Sequence, residues 1–192
     1  MRPDDLRDVY VSQARATVCA VAALVGGPFV NKSIGNSVRI PALARLFPNA
    51  LFVHVKRDLA LTAQSHYLNY LDQRLADGSV KRWTSSRPPE YERLLDLPLV
   101  EKATAQVYYI DKCVEHSLRG VENTMIVHYG RICADPGTLI EQMFAHEAMS
   151  AVGLVRRREP PAGFTESRSV KVERRVFRRI ESMLRQLDSE SG

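Results

Sequence analysis

Apolar positions at the start of the chain recur at helical spacing. Leu6, Val9, Tyr10, Ala14, Val18 and Val21 fall three or four residues apart, which predicts a helix over residues 4–24. Gly26, Gly27 and Pro28 end it, and residues 29–31 read as a short buried strand. Asn36 or Ser37 can cap a second helix that has Pro41 in its first turn, carries Leu43, Leu46 and Phe47 on one side, and stops at Pro48-Asn49. Residues 50–56 change the period. They are β-rich and nearly all apolar, the pattern of a strand buried on both faces in a parallel sheet. A helix from Asp58 to Leu71 follows, then a polar loop opened by Asp77-Gly78 and continuing through Trp83, Arg87, Pro88 and Pro89. Residues 91–118 read as helix, residues 124–129 as a third apolar strand, and Asp135-Pro136 as the start of a helix that closes over residues 151–154. The rest, from Arg156, is a basic segment and an amphipathic helix with Val172, Val176, Ile180, Leu184 and Leu187 on one stripe. Strands alternating with helices predict an α/β layer fold with a parallel sheet flanked by helices.

With 192 residues and 45% hydrophobic composition, the chain is expected to form one domain around a sizeable core, which excludes a disordered tail or a fibrous repeat. No apolar run reaches the roughly 18 residues of a membrane span, and the acidic and basic residues ahead of Val18 do not form the basic lead of a signal peptide. A cytoplasmic location is expected. Cys19, Cys113 and Cys133 are odd in number and far apart, so buried reduced thiols are expected, with neither a disulfide framework nor a metal site. The net charge of +5 points to an anionic ligand or partner.

Ligands of open parallel sheets sit beyond the carboxyl ends of the strands. That rule selects Asn31-Lys32-Ser33, Lys56-Arg57-Asp58 and Tyr129-Gly130. Arg57 follows a rigid strand and its planar fork suits a phosphate, although an ion pair with Asp58 or another surface carboxylate would occupy it equally well. Ser65, two turns into the next helix, can reach an anion held at the same edge.

The series Asn31-Lys32-Ser33, Asn36, Arg39 to Leu43, and Phe47 to Asp58 with Ser65 closing it resembles the bacterial branch of the sulfotransferases that use 3'-phosphoadenosine 5'-phosphosulfate (PAPS). Residues 83–91 are similar to a loop of that branch, and Tyr129 with Asp135-Pro136 is similar to its tyrosine-bearing strand and following helix. The resemblance covers residues 28–154 within a single domain of residues 1–192, leaving an N-terminal helical part (1–27) and a basic C-terminal segment and helix (155–192). It implies a P-loop-like three-layer α/β fold and sulfuryl transfer from PAPS to an acceptor hydroxyl or amine, on a small molecule or glycan, with no metal. It also implies residue roles: Arg57 and Ser65 on the 3'-phosphate, Lys32 beside the phosphosulfate, and Tyr129 near the adenine. Lys32 and His66 are the candidate catalytic residues.

Three departures stand beside these matches. Ile34 occupies the place where the cytosolic branch has its histidine base, which leaves His66 and His54 as the nearby alternatives. Gly130-Arg131 replaces the acidic pair after the tyrosine. The family's phosphosulfate loop, a strand and a glycine-rich turn opening a helix, has no counterpart before Pro28, so the chain is expected to be incomplete at its N-terminus, at most weakly active alone and prone to self-association. The competing readings are a non-catalytic assembly module and a nucleic-acid-binding domain. The latter would use Arg156, Arg157, Arg158, Arg168, Lys171, Arg174, Arg175, Arg178 and Arg179, but a solvated helix face accounts for this run better.

Overall fold

The computed structural model describes residues 8–73, 75, 77–150, 155–156 and 158–191. The chain forms two compact units, residues 1–56 with 117–166 and residues 57–116 with 167–192.

The first unit opens with α1 (Asp8–Val25), the helix that the apolar spacing predicts. A 3-10 turn (Ile34–Val38) and α2 (Ile40–Leu46) follow. Ala42 and Leu46 are buried against Val11 and Ala14 of α1, with Leu43 and Phe47 beside them. Arg15 fastens the pair. Its Nε donates to the Leu46 carbonyl at 2.6 Å and its Nη2 to the Arg45 carbonyl at 3.1 Å, giving two end carbonyls of α2 a cationic donor.

Two expectations fail here. Residues 29–31 are not a buried strand: they are irregular, with Phe29 45% and Val30 81% exposed. A strand needs a ladder partner for its backbone groups, and three apolar residues after Gly-Gly-Pro recruit none. Nor do Asn36 or Ser37 cap α2. Both lie inside the 3-10 turn, and Arg39 precedes the helix, with Pro41 in its first turn.

The parallel sheet consists, among the described residues, of β1 (Phe52–Lys56) and β2 (Thr124–His128), in register from Phe52↔Thr124 to Lys56↔His128. An α/β fold is present. The strand expected to be buried on both faces instead alternates, with Val53 and Val55 exposed, as Ile126 is on β2, because two strands cannot cover both faces of each other. Tyr129 leaves β2 and starts α6 (Tyr129–Ala134). Asp135 then caps α7 (Pro136–Ala145) by accepting from the Thr138 amide at 3.0 Å, and α8 (Glu147–Ser150) follows. The expected helix end at residues 151–154 lies outside the described residues. Gly163 passes close to the end of α6: a Cβ there would meet the Cys133 carbonyl at 2.9 Å.

The second unit is helical. It comprises α3 (Leu59–Asp72), α4 (Tyr91–Leu94), α5 (Leu99–Leu118) and α9 (Arg174–Ser191). Residues 91–118 are two helices rather than one, because Pro98 has no N–H and disfavours helical geometry in Leu97 before it. Leu94, Ala105, Tyr108 and Leu187 form the core, with Leu59, Trp83, Leu97, Tyr109, Met183 and Leu184 packed around it. The Tyr108 hydroxyl donates to the Leu187 carbonyl at 3.1 Å, joining α5 to α9. Cys133 is buried, but Cys19 on α1 is exposed, contrary to the expectation of three buried thiols.

Candidate functional site

Arg57 directly precedes the Asp58 cap of α3, and Ser65 and His66 lie midway along the helix. Asp58 holds the helix start, its Oδ1 accepting from the Leu61 amide at 2.8 Å, an interaction of a kind worth about 1 kcal/mol. Arg57 reaches the C-terminal part of the chain, its Nη2 donating to the Ser167 carbonyl at 2.9 Å. A residue that sequence reasoning passed over completes this attachment. Gln64, 2% exposed, donates through Nε2 to the Ser169 carbonyl at 3.1 Å and accepts the Lys171 amide on Oε1 at 2.7 Å. Residues 167–171 are thereby strapped along the first turns of α3, so the backbone that carries Arg168 and Lys171 runs beside Arg57. Ser65 is exposed, and its hydroxyl donates to the Leu61 carbonyl at 2.9 Å, a local bond that a rotation could exchange for an anion. Neither half of the attachment depends on an ion pair between Arg57 and Asp58.

His66 is half-buried and belongs to a polar network centred on Gln106. Its Nε2 lies 2.7 Å from Gln106 Oε1, the oxygen that also accepts the Tyr70 hydroxyl at 2.9 Å. Gln106 Nε2 donates to the carbonyls of Thr84 and Ser86, both at 2.8 Å. Burial pushes the His66 pKa below its ordinary value, and the bond to Gln106 opposes part of that shift. The loop between those carbonyls has Ser85 in the left-handed region at φ 67°. Trp83 meets Tyr91 edge-on at 4.6 Å, and the Arg87 guanidinium lies over the Tyr91 ring at 4.5 Å.

Lys32 and Tyr129 belong to the first unit, whereas Arg57, Ser65 and His66 belong to the second. Lys32 is exposed on the irregular stretch before the 3-10 turn, next to Asn31, whose Oδ1 accepts from Asn36 Nδ2 at 2.9 Å. Tyr129 is half-buried at the start of α6. The Glu166 carboxylate lies beside Gly130, its oxygens 3.1 Å from the position a Cβ there would take. The register Lys56↔His128 ends both strands at one edge of the first unit, and Tyr129 follows directly. His54 is half-buried within β1. Among the described residues of the basic run, Arg156 pairs with Glu141 at 3.7 Å and Glu159 at 3.3 Å, and Arg175 with Glu173 and Arg179 with Glu101, both at 2.8 Å.

The model of a family described as the sulfotransferase family matches residues 2–149. The chain belongs to the sulfotransferase family. This match includes Lys32, Arg57, Ser65, His66 and Tyr129, and it stops before the strap at residues 167–171. Comparisons with curated proteins and with solved structures gave no match. Membership assigns the chain to sulfuryl-transfer chemistry in general. Among the described residues no three His, Cys, Asp or Glu side chains gather as a metal-binding group, and no helix is long and apolar enough to cross a membrane.

Proposed function

We propose that this chain takes its sulfuryl group from PAPS and that the start of α3 reads the 3'-phosphate of the nucleotide. The observation that carries the reading is the strap. Arg57 and Gln64 hold residues 167–171 by their backbone, so the segment that carries Arg168 and Lys171 is tied to Arg57 and to the residue next to Ser65. A bidentate guanidinium, a hydroxyl and further cations are the donors a phosphate dianion needs.

In the transfer itself the acceptor oxygen or nitrogen attacks sulfur in line. The bond from sulfur to the bridging oxygen breaks, its electron pair stays on the phosphate, and the acceptor's proton goes to a base. Positioned cations contribute more to such a reaction than covalent help does. Lys32 is assigned to the charge that builds on the bridging oxygen, Tyr129 to the adenine, and His66 to the proton. The acceptor is a small molecule or a glycan.

Thermal shift tests the nucleotide assignment directly. 3'-Phosphoadenosine 5'-phosphate should raise Tm more than AMP does, and Arg57→Ala should abolish that difference, since a charge-assisted hydrogen bond contributes about 1.5–3 kcal/mol. Equal shifts by the two nucleotides in the unmutated chain would overturn the reading.

A further inference from the structure

Four hydrogen bonds converge on the carboxamide of Gln106 and fix which way it points. Its nitrogen lies 2.8 Å from the carbonyls of both Thr84 and Ser86, neither of which can donate, so that end is the NH2 group and the other end is the oxygen. An amide oxygen only accepts. Tyr70 meets this by giving its single hydroxyl proton, while its own oxygen receives the Thr84 amide at 3.3 Å. His66 must therefore donate as well, through Nε2. The neutral ring then carries its proton on Nε2 and its basic lone pair on Nδ1. Among the described residues the ring in contact with His66 is that of Tyr70, edge-on at 5.1 Å.

The same carboxamide holds the loop. The two carbonyls it binds flank Ser85, whose left-handed backbone is unfavourable for a residue with a side chain and persists only where its surroundings enforce it. Trp83 adds a bond from Nε1 to the Ser86 carbonyl at 3.2 Å.

We propose that Gln106 is a positioning residue for sulfuryl transfer: it fixes His66 as the Nε2–H tautomer, making Nδ1 the atom that takes the acceptor's proton, and ties that tautomer to the left-handed turn beside Trp83. The catalytic half rests on the function proposed above, whereas the tautomer and the turn do not. The step moves one proton from the acceptor to Nδ1 and leaves every bond to Gln106 in place. The loop therefore keeps its shape through the reaction.

Nitrogen-15 NMR of labelled histidine and fluorescence of Trp83, the single tryptophan, test this on the full chain without donor or acceptor. In the unmutated protein at alkaline pH, Nε2 should carry the proton, and a proton on Nδ1 would overturn the proposal. Gln106→Glu keeps an acceptor toward His66 but loses both donors. The His66 pKa should then rise by about one unit or more, because the acceptor is charged, and acrylamide quenching of Trp83 should increase. An unmoved His66 pKa or unchanged quenching overturns the coupling. Should that variant fail to fold, Tyr70→Phe decides, since it leaves both donors in place: Nε2–H and the quenching of Trp83 should persist, and loss of either overturns the proposal. In turnover, Gln106→Glu should displace the acidic limb of the kcat profile upward together with the His66 pKa, whereas a purely structural role lowers kcat equally at every pH. Expected spectra in a chain that transfers no sulfuryl group would overturn the catalytic half and leave the tautomer standing.

Discussion

The two units treat water differently. Of the large apolar side chains exposed among the described residues, all but Leu75 and Val170 belong to the first unit, including Leu24, Val25, Val30, Val55 and Ile126. The second unit holds most of the buried apolar residues and all of the buried polar ones: Gln64, Thr84, Ser86, Lys102, Thr104 and Gln106. Buried amides and hydroxyls demand partners, and once satisfied they fix directions that apolar packing leaves loose. The unit that carries Arg57 and His66 is therefore the one with fixed geometry. The first unit leaves uncollected the stabilisation, about 25 cal/mol per Å², that its exposed apolar surface would gain on burial.

Substitutions can break this contrast, and the largest effect is expected at Tyr108, which is fully buried and joins α5 to α9. Tyr108→Ala should cost about 3–5 kcal/mol in denaturant unfolding. A loss smaller than that of an exposed-sheet variant would remove the distinction between the units. Gln64→Ala should come next, at about 1–3 kcal/mol, because it strands the Ser169 carbonyl and the Lys171 amide. Trypsin should then cleave at Arg168 or Lys171, and continued protection would mean that other contacts hold the strap. A smaller effect is expected from acid. The folded His66 pKa lies below the unfolded value, so between the two the unfolded chain binds more protons. Stability should be full above about pH 6.5 and decline as pH falls below it. The measurement is Tm from pH 8 to 5, and His66→Gln should flatten the decline; an identical slope in the variant would assign it to another group. The smallest change belongs to the first unit: Ile126→Thr, at a position 60% exposed, should alter stability by about 0.5 kcal/mol or less while reducing binding of an apolar dye.

The helices were legible because period and caps are local signals, whereas the parallel pairing is present although its premise, burial of β1 on both faces, does not hold. The apolar stripe of α1, the Asp58 and Asp135 caps and the run before Arg57 each lie within a few residues of what they determine. Residues 29–31 misread because three apolar residues show local preference but not whether a ladder partner exists. The same blindness applies to the site. Arg57, Ser65, Lys32 and Tyr129 are candidates because their order and spacing are visible along the chain. Gln64 and Gln106 could not be picked out, since each bonds backbone groups 20 or more positions away, with no motif to mark it. The one available signal was the presence of glutamine among apolar helical neighbours, on α3 and again on α5.

The strap has a consequence for protein engineering. The hydrogen bonds that Arg57 and Gln64 make to Ser167, Ser169 and Lys171 all end on main-chain atoms, so these three bonds do not depend on which side chains the stretch carries. Substitutions at positions 168, 170 and 171 should therefore leave these three bonds in place. Proline at 171 is the exception, because it deletes the one amide hydrogen that Gln64 receives.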